Sequence, residues 1–198
     1  MWWKIGTLTT ILGLLTSMPV LSQTSRKHRA PCPLSTAPSG WRAYVDRVHG
    51  FCFSYPRTYE PVAEPWLEKH THAPTKSALD YLRKAAKEGR MIRLQNKQDA
   101  GVSIDVFLYA DKPFDLESFV SGAPTGIESP PERKQVGTQT FYYYGPGGGA
   151  VDYPDQYFFN LKGNALLIAF DGPYINDKTP SPETKEIERQ LLQSFQTF

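Results

Sequence analysis

The chain is organised around a pair of apolar runs, Tyr157–Leu161 and Ala165–Phe170, which flank a Gly-containing break. Both runs are rich in strand formers. Gly163-Asn164 supplies the positive φ that a tight turn between twisted strands requires, so the segment predicts a hairpin. The second run, Ala165-Leu166-Leu167-Ile168-Ala169-Phe170, does not alternate with polar residues. Both of its faces must then be kept from water, which predicts a central strand covered on two sides.

Alternation sets further strands. Trp41, Ala43 and Val45 alternate with Arg42, Tyr44 and Asp46 up to the turn at His49-Gly50. Phe51, Phe53 and Tyr55 then alternate with Cys52 and Ser54 until Pro56, which cannot donate to a ladder. Ile92 and Leu94 share one side of a strand. Val102, Ile104, Val106 and Leu108 oppose Ser103, Asp105, Phe107 and Tyr109 in the next, with residues 96–101 between the two. Lys134–Val136 and Gln139–Tyr144 read as strands turning at Gly137.

Three segments follow helical signals instead. Ala78, Leu79, Leu82, Ala85 and Ala86 recur at helical spacing after Thr75 or Ser77 as cap, and Gly89 ends the helix. Arg83, Lys84 and Lys87 lie off that stripe, on a face that is either simply solvated or offered to an anionic partner. Asp115 caps a short helix, with Phe114 and Phe119 spaced as a hydrophobic staple and Gly122 as the stop. Ser181 caps the last helix, Pro182 takes its first position, and Glu183 and Glu186 sit near its positive end. Ile187, Leu191 and Leu192 form its buried stripe, and Phe195–Phe198 reads as a closing edge strand.

The patterning predicts an α+β protein, and 198 residues suffice for one well-buried domain. Hydrophobic content of 40%, aromatic content of 13% and 17 prolines describe a folded, turn-rich chain. A dispersed net charge of +2 argues against a nucleic-acid partner. The first residues place Lys4 before an apolar run from Ile5 to Leu15, then Pro19, then Val20 and Ser22 around a small-residue cleavage site. Residues 1–22 therefore read as a secretory signal peptide, and the run is shorter than the ~20 residues that span a bilayer, so no stable membrane anchor is expected after cleavage. Residues 23–40 read as a flexible Pro/Ser-rich tail with a basic cluster, and residues 41–198 as the folded domain. In an exported chain, secreted or periplasmic, the even pair Cys32 and Cys52 reads as a disulfide.

The segment Gly50-Phe51-Cys52-Phe53-Ser54-Tyr55-Pro56, followed by a polar loop, resembles the opening G-F-x-F-x-Y-P strand of small exported proteins of the PsbP-like superfamily. The yeast Ran-binding nuclear import factor shares that fold. The resemblance spans residues 41–198, including the terminal helix and closing strand. It implies an antiparallel sheet packed between helices, an α/β/α sandwich, without a common catalytic centre. No family binding motif carries over residue by residue, and the long stretch between Tyr59 and Arg90 departs from the usual pattern.

Candidate chemistry is sparse. The Gly-rich segment Gly145–Gly149 lies between strand patterns and lacks the Lys-Ser/Thr ending of a nucleotide loop, so it reads as a hairpin loop. His70 and His72 could supply two metal ligands from an extended segment, with Glu64, Glu68 or Asp80 as a third, which would suit a metal-assisted hydrolase. Carboxylate pairs Asp152/Asp155 and Glu183/Glu186 are formal acid–base candidates. No G-x-S-x-G elbow occurs. Tyr142, Tyr144 and Tyr153 flank the glycine loop, and rings that alternate off the core would suit contact with a small molecule, a glycan or a protein. These features together predict an exported noncatalytic accessory or binding protein, with no cofactor and an unidentified partner.

Overall fold

The computed structural model describes residue 32 and residues 37–72, 75–114, 131–145, 155–172, 174–175 and 179–198. Its centre is an antiparallel sheet built from β3 (Tyr59–Pro61), β4 (Met91–Asn96), β5 (Ser103–Pro113), β6 (Glu132–Val136), β7 (Gln139–Tyr144), β8 (Asp155–Leu161) and β9 (Asn164–Asp171). The strand order is β3-β4-β5-β9-β8-β7-β6. A small second sheet orders β1 (Trp41–Asp46), β2 (Phe51–Pro56) and the short C-terminal strand β12 (Gln196–Thr197), with β2 in the middle. A short antiparallel pair, β10 (Tyr174–Ile175) and β11 (Thr179–Pro180), precedes the last helix.

The apolar run at 165–170 lies in β9, the central strand of the large sheet, and all its residues but Leu167 are buried. The unbroken apolar pattern follows from that position, because both faces of the strand are covered. The turn between β8 and β9 differs by one residue from the sequence expectation. Lys162 and Gly163, not Gly163 and Asn164, take positive φ, at 53° and 88°. Positive φ at both central residues gives the twist that a two-residue hairpin needs, and Asn160 Oδ1 accepts the Gly163 amide at 2.8 Å to brace it.

Helices cover both faces. On one side, α3 (Pro182–Ser194) and the small sheet close the main core. Phe51, Phe53, Ile104, Val106, Leu108, Phe141, Phe159, Ile168, Leu191 and Phe195 interlock there. On the other side, α1 (Glu64–His70) and α2 (Lys76–Lys87) form a helical pair, and the α2 ring of Tyr81 meets Phe107 of β5. The alternation of β5 explains the two layers, since Val106 and Leu108 face the main core while Phe107 faces α2. This is the α+β class expected from sequence, with an antiparallel sheet packed between helices.

The capping signals are observed directly. Thr75 accepts the Ala78 amide at the start of α2, and Gly89 follows it at φ 66°. Ser181 accepts the Thr184 amide at the start of α3. Cys32 and Cys52 form a disulfide that ties the tail to β2. The short helix expected after Asp115 and the Gly145–Gly149 loop beyond Gly145 lie outside the described residues.

Candidate functional site

Among the described residues, two places gather side chains that could do chemistry or recognition. The first is a buried polar cluster where β6, β7, β8 and α3 meet. Asp155 opens β8 and is 0% exposed, and Glu188 on α3 is 2% exposed. Lys185 Nζ, one helical turn before Glu188, donates to Asp155 Oδ2 at 3.0 Å and to Glu188 Oε2 at 3.3 Å. The Tyr143 hydroxyl donates to Asp155 Oδ1 at 2.5 Å, and the Tyr157 hydroxyl donates to Glu188 Oε2 at 3.1 Å. Lys134 of β6 lies 3.3 Å from the centroid of the Tyr143 ring, a cation–π contact. Burial pushes the Glu188 carboxyl up to about 7, the neighbouring Asp155 adds to the rise, and Lys185 opposes it. Burial and the same carboxylates hold both tyrosine hydroxyls protonated, well above the ordinary phenol range.

The second place is a cavity of about 220 Å³ between α1, α2 and β4, lined by Trp66, Leu67, His70, Thr71, His72, Leu82, Met91 and Arg93. Its apolar lining comes from Leu67, Leu82 and Met91. Arg93 adds little net charge, because Asp105 takes its guanidinium in two 2.7 Å hydrogen bonds. The rim is a stacked pair, with the Trp66 and His70 rings 4.2 Å apart between centroids. Positions four apart on one helix face meet in this way. Trp66 remains 36% exposed, among the few large apolar side chains in the described residues left at the surface.

The residues expected from sequence are distributed unevenly over these two places. His70 and His72 both line the cavity, but His70 ends the helix α1 and is not part of an extended segment. Its Nδ1–H donates to the Trp66 carbonyl oxygen at 2.8 Å, leaving only Nε2. Glu68, one proposed third ligand, instead pairs with Lys87 at 2.9 Å. Among the described residues no three His, Cys, Asp or Glu side chains gather in a way that could hold a metal ion. Asp155 joins Glu188 from a different element, and Asp152 lies outside the described residues. Glu183 and Glu186 are both exposed on α3, where Glu186 pairs with Arg189.

The aromatic alternation holds, but its exposure does not match the expectation. Tyr144 is only 6% exposed and packs edge-on against Phe158, and Tyr142 is half-buried against Phe114. The reason is the second helical layer's side of the sheet, where these rings fill space next to β8. Tyr153 lies outside the described residues. The intervening Tyr143 points the other way and contributes its hydroxyl to the buried cluster.

Two residues of these places were not picked out in the sequence. Trp66 was hidden because the segment between Tyr59 and Thr75 was not read as helical, although its i, i+4 spacing to His70 after Pro65 signals a short helix. Glu188 carried a clearer signal. It falls on the same stripe of α3 as Leu191 and Leu192, at i+3 and i+4, where a carboxylate has no reason to be unless it has partners.

No protein-family model and no curated protein sequence matches the chain. Solved structures are similar in fold only. A protein from Bacteroides thetaiotaomicron aligns with TM-score 0.48 and 6% identity over 80% of this chain, which spans about half, 49%, of that protein. Cyanobacterial PsbP from Synechocystis aligns with TM-score 0.46 and 13% identity over 83% of this chain and 96% of its own. Likenesses of this degree carry no argument about function, which rests on the geometry above.

Proposed function

We propose that the chain is an exported, noncatalytic binding protein that works outside the cytoplasm and seats one apolar side chain of a protein partner in the Trp66 cavity. The observation that carries this reading is the cavity itself, an apolar recess beside a solvent-exposed tryptophan. Its size sets the occupant. Sites for drug-sized ligands run to about 300–1,000 Å³, whereas an apolar cavity of about 150 Å³ already accepts one benzene ring. At about 220 Å³ the recess suits a single aromatic or branched aliphatic group. A tryptophan at the edge of such a pocket is a residue type that concentrates binding energy, since one side chain offers large rigid contact area.

Export is supported by the leader-like residues 1–22 and by the disulfide between Cys32 and Cys52, which persists where thiols are oxidised. On this reading residues 23–40 are a tail tethered by that bridge, and residues 41–198 are the binding domain. Among the described residues no helix is long and apolar enough to cross a membrane.

A photoreactive benzoylphenylalanine placed at Lys69 of the full chain, an exposed α1 position next to the rim residue His70 and outside the lining, tests this in envelope extracts of the source cells. The expected result is a discrete adduct that is absent when the same group is placed at Val48, which is 75% exposed but far from the recess in sequence and layer. Equal labelling from both positions would remove the cavity from the account.

A further inference from the structure

Asp155 and Glu188 lie on different elements, β8 and α3, and both carboxyls are removed from solvent. The groups facing Glu188 can be followed element by element among the described residues. From β8 come Asp155 and the Tyr157 hydroxyl, from β7 the Tyr143 hydroxyl acting on Asp155, and from α3 itself Lys185. Lys134 of β6 adds a more distant cation, 5.7 Å from the Tyr157 ring centroid. Two carboxyls therefore share one ammonium in direct contact. Every oxygen but one has a donor: Glu188 Oε1 is buried and has no hydrogen-bond partner among the described residues.

A fully ionised pair is poorly served by this arrangement. Glu188 Oε2 would keep Tyr157 and Lys185, but the buried Oε1 would carry negative charge with no protein donor among the described residues, in a carboxylate that shares its ammonium with Asp155. One proton removes both problems. A protonated Glu188 no longer repels Asp155, which meets the same ammonium, and the remaining negative charge is matched by Lys185.

We propose that the Asp155–Glu188 pair is a proton-operated joint between α3 and the sheet, clamped while one proton is held in the pair and loosened when that proton leaves to solvent. The helix it seats also carries Leu191 and Leu192 into the core and leads into β12, the strand that pairs with the disulfide-bearing β2. A change at the joint is thus coupled to the small sheet, so the folded chain reports external pH through the seating of its C-terminal segment.

The sign is opposite to that of an ordinary salt-bridged carboxylate. Glu188 holds its proton to a higher pH when folded than when unfolded, so its contribution is fully present below about pH 4.5 and is lost as pH rises through about 7. Hydrogen exchange of the α3 amides in the full chain, corrected for intrinsic rates, tests the joint directly. Between pH 6 and pH 8, protection of α3 should fall by about tenfold, the factor for one pH unit above the titration point. Glu188→Gln, which is neutral at every pH, should remove that step while leaving α3 protected at pH 8. An identical step in Glu188→Gln, or no step in the native chain, would overturn the proposal. Should the variant fail to fold, carbon-13 NMR of the glutamate carboxyls in the native chain decides: Glu188 titrating near 7 supports the joint, and every glutamate titrating near the ordinary value of about 4.3 refutes it.

Discussion

Phe141→Ala should lower the free energy of unfolding by about 3–5 kcal/mol, the range for removing a buried aromatic ring from a close-packed core. Phe141 is fully buried in β7 and is the ring at which the layers meet. Its centroid lies 5.4 Å from Phe159, 5.7 Å from Phe195 and 6.4 Å from Tyr157, so it touches the sheet and the segment after α3 together. Those neighbours are held by strand pairing and by the helix end, so they cannot collapse into the space left behind. Urea unfolding should show a lower midpoint at unchanged slope. A loss under about 1 kcal/mol would mean that β7 and α3 are not joined through this ring.

The second large effect concerns the disulfide. Opening the Cys32–Cys52 bridge by Cys32→Ala with Cys52→Ala should cost about 3 kcal/mol, because the bridge closes a loop of 20 residues and removes that freedom from the unfolded chain. For a chain of this length that is a fall in Tm of roughly 6–12 °C. The measurement is a pair of melts with and without reductant. The native chain should lose stability on reduction, whereas the double variant should melt at the reduced chain's temperature under both conditions. A variant as stable as the oxidised native chain would show that the tail contributes nothing to the fold.

The framework was legible wherever one local rule decided the structure. The unbroken apolar run marked β9 as central, and Thr75, Gly89, Ser181 and Pro182 set the helix ends through hydrogen bonds made within a single turn. The hairpin was placed correctly but its turn was shifted by one residue, because Lys162 takes a positive φ that sequence preference assigns to Gly or Asn. The candidate sites were less legible. The cavity needs Trp66 from α1, Leu82 from α2 and Met91 from β4, and no periodicity links those three. Glu188 was visible as a carboxylate on an apolar stripe, yet its partners Asp155 and Tyr157 lie about thirty positions earlier and are supplied only by the packing of α3 on the sheet. The rings of Tyr142 and Tyr144 were correctly placed off the main core, but a strand's second face can be buried too, and here a second layer of side chains covers it.

The most direct test of the Trp66 cavity as a recognition site is an NMR titration of the full chain with N-acetylphenylalanine amide, a single-ring mimic of a partner side chain. Occupation of the recess predicts saturable shifts of the Trp66 indole N–H and the Met91 methyl with half-saturation at about 1 mM, equivalent to about 4 kcal/mol of binding. It also predicts their loss in Leu82→Trp, which fills the recess. Shifts scattered over the surface, or shifts that persist when the recess is filled, would contradict it.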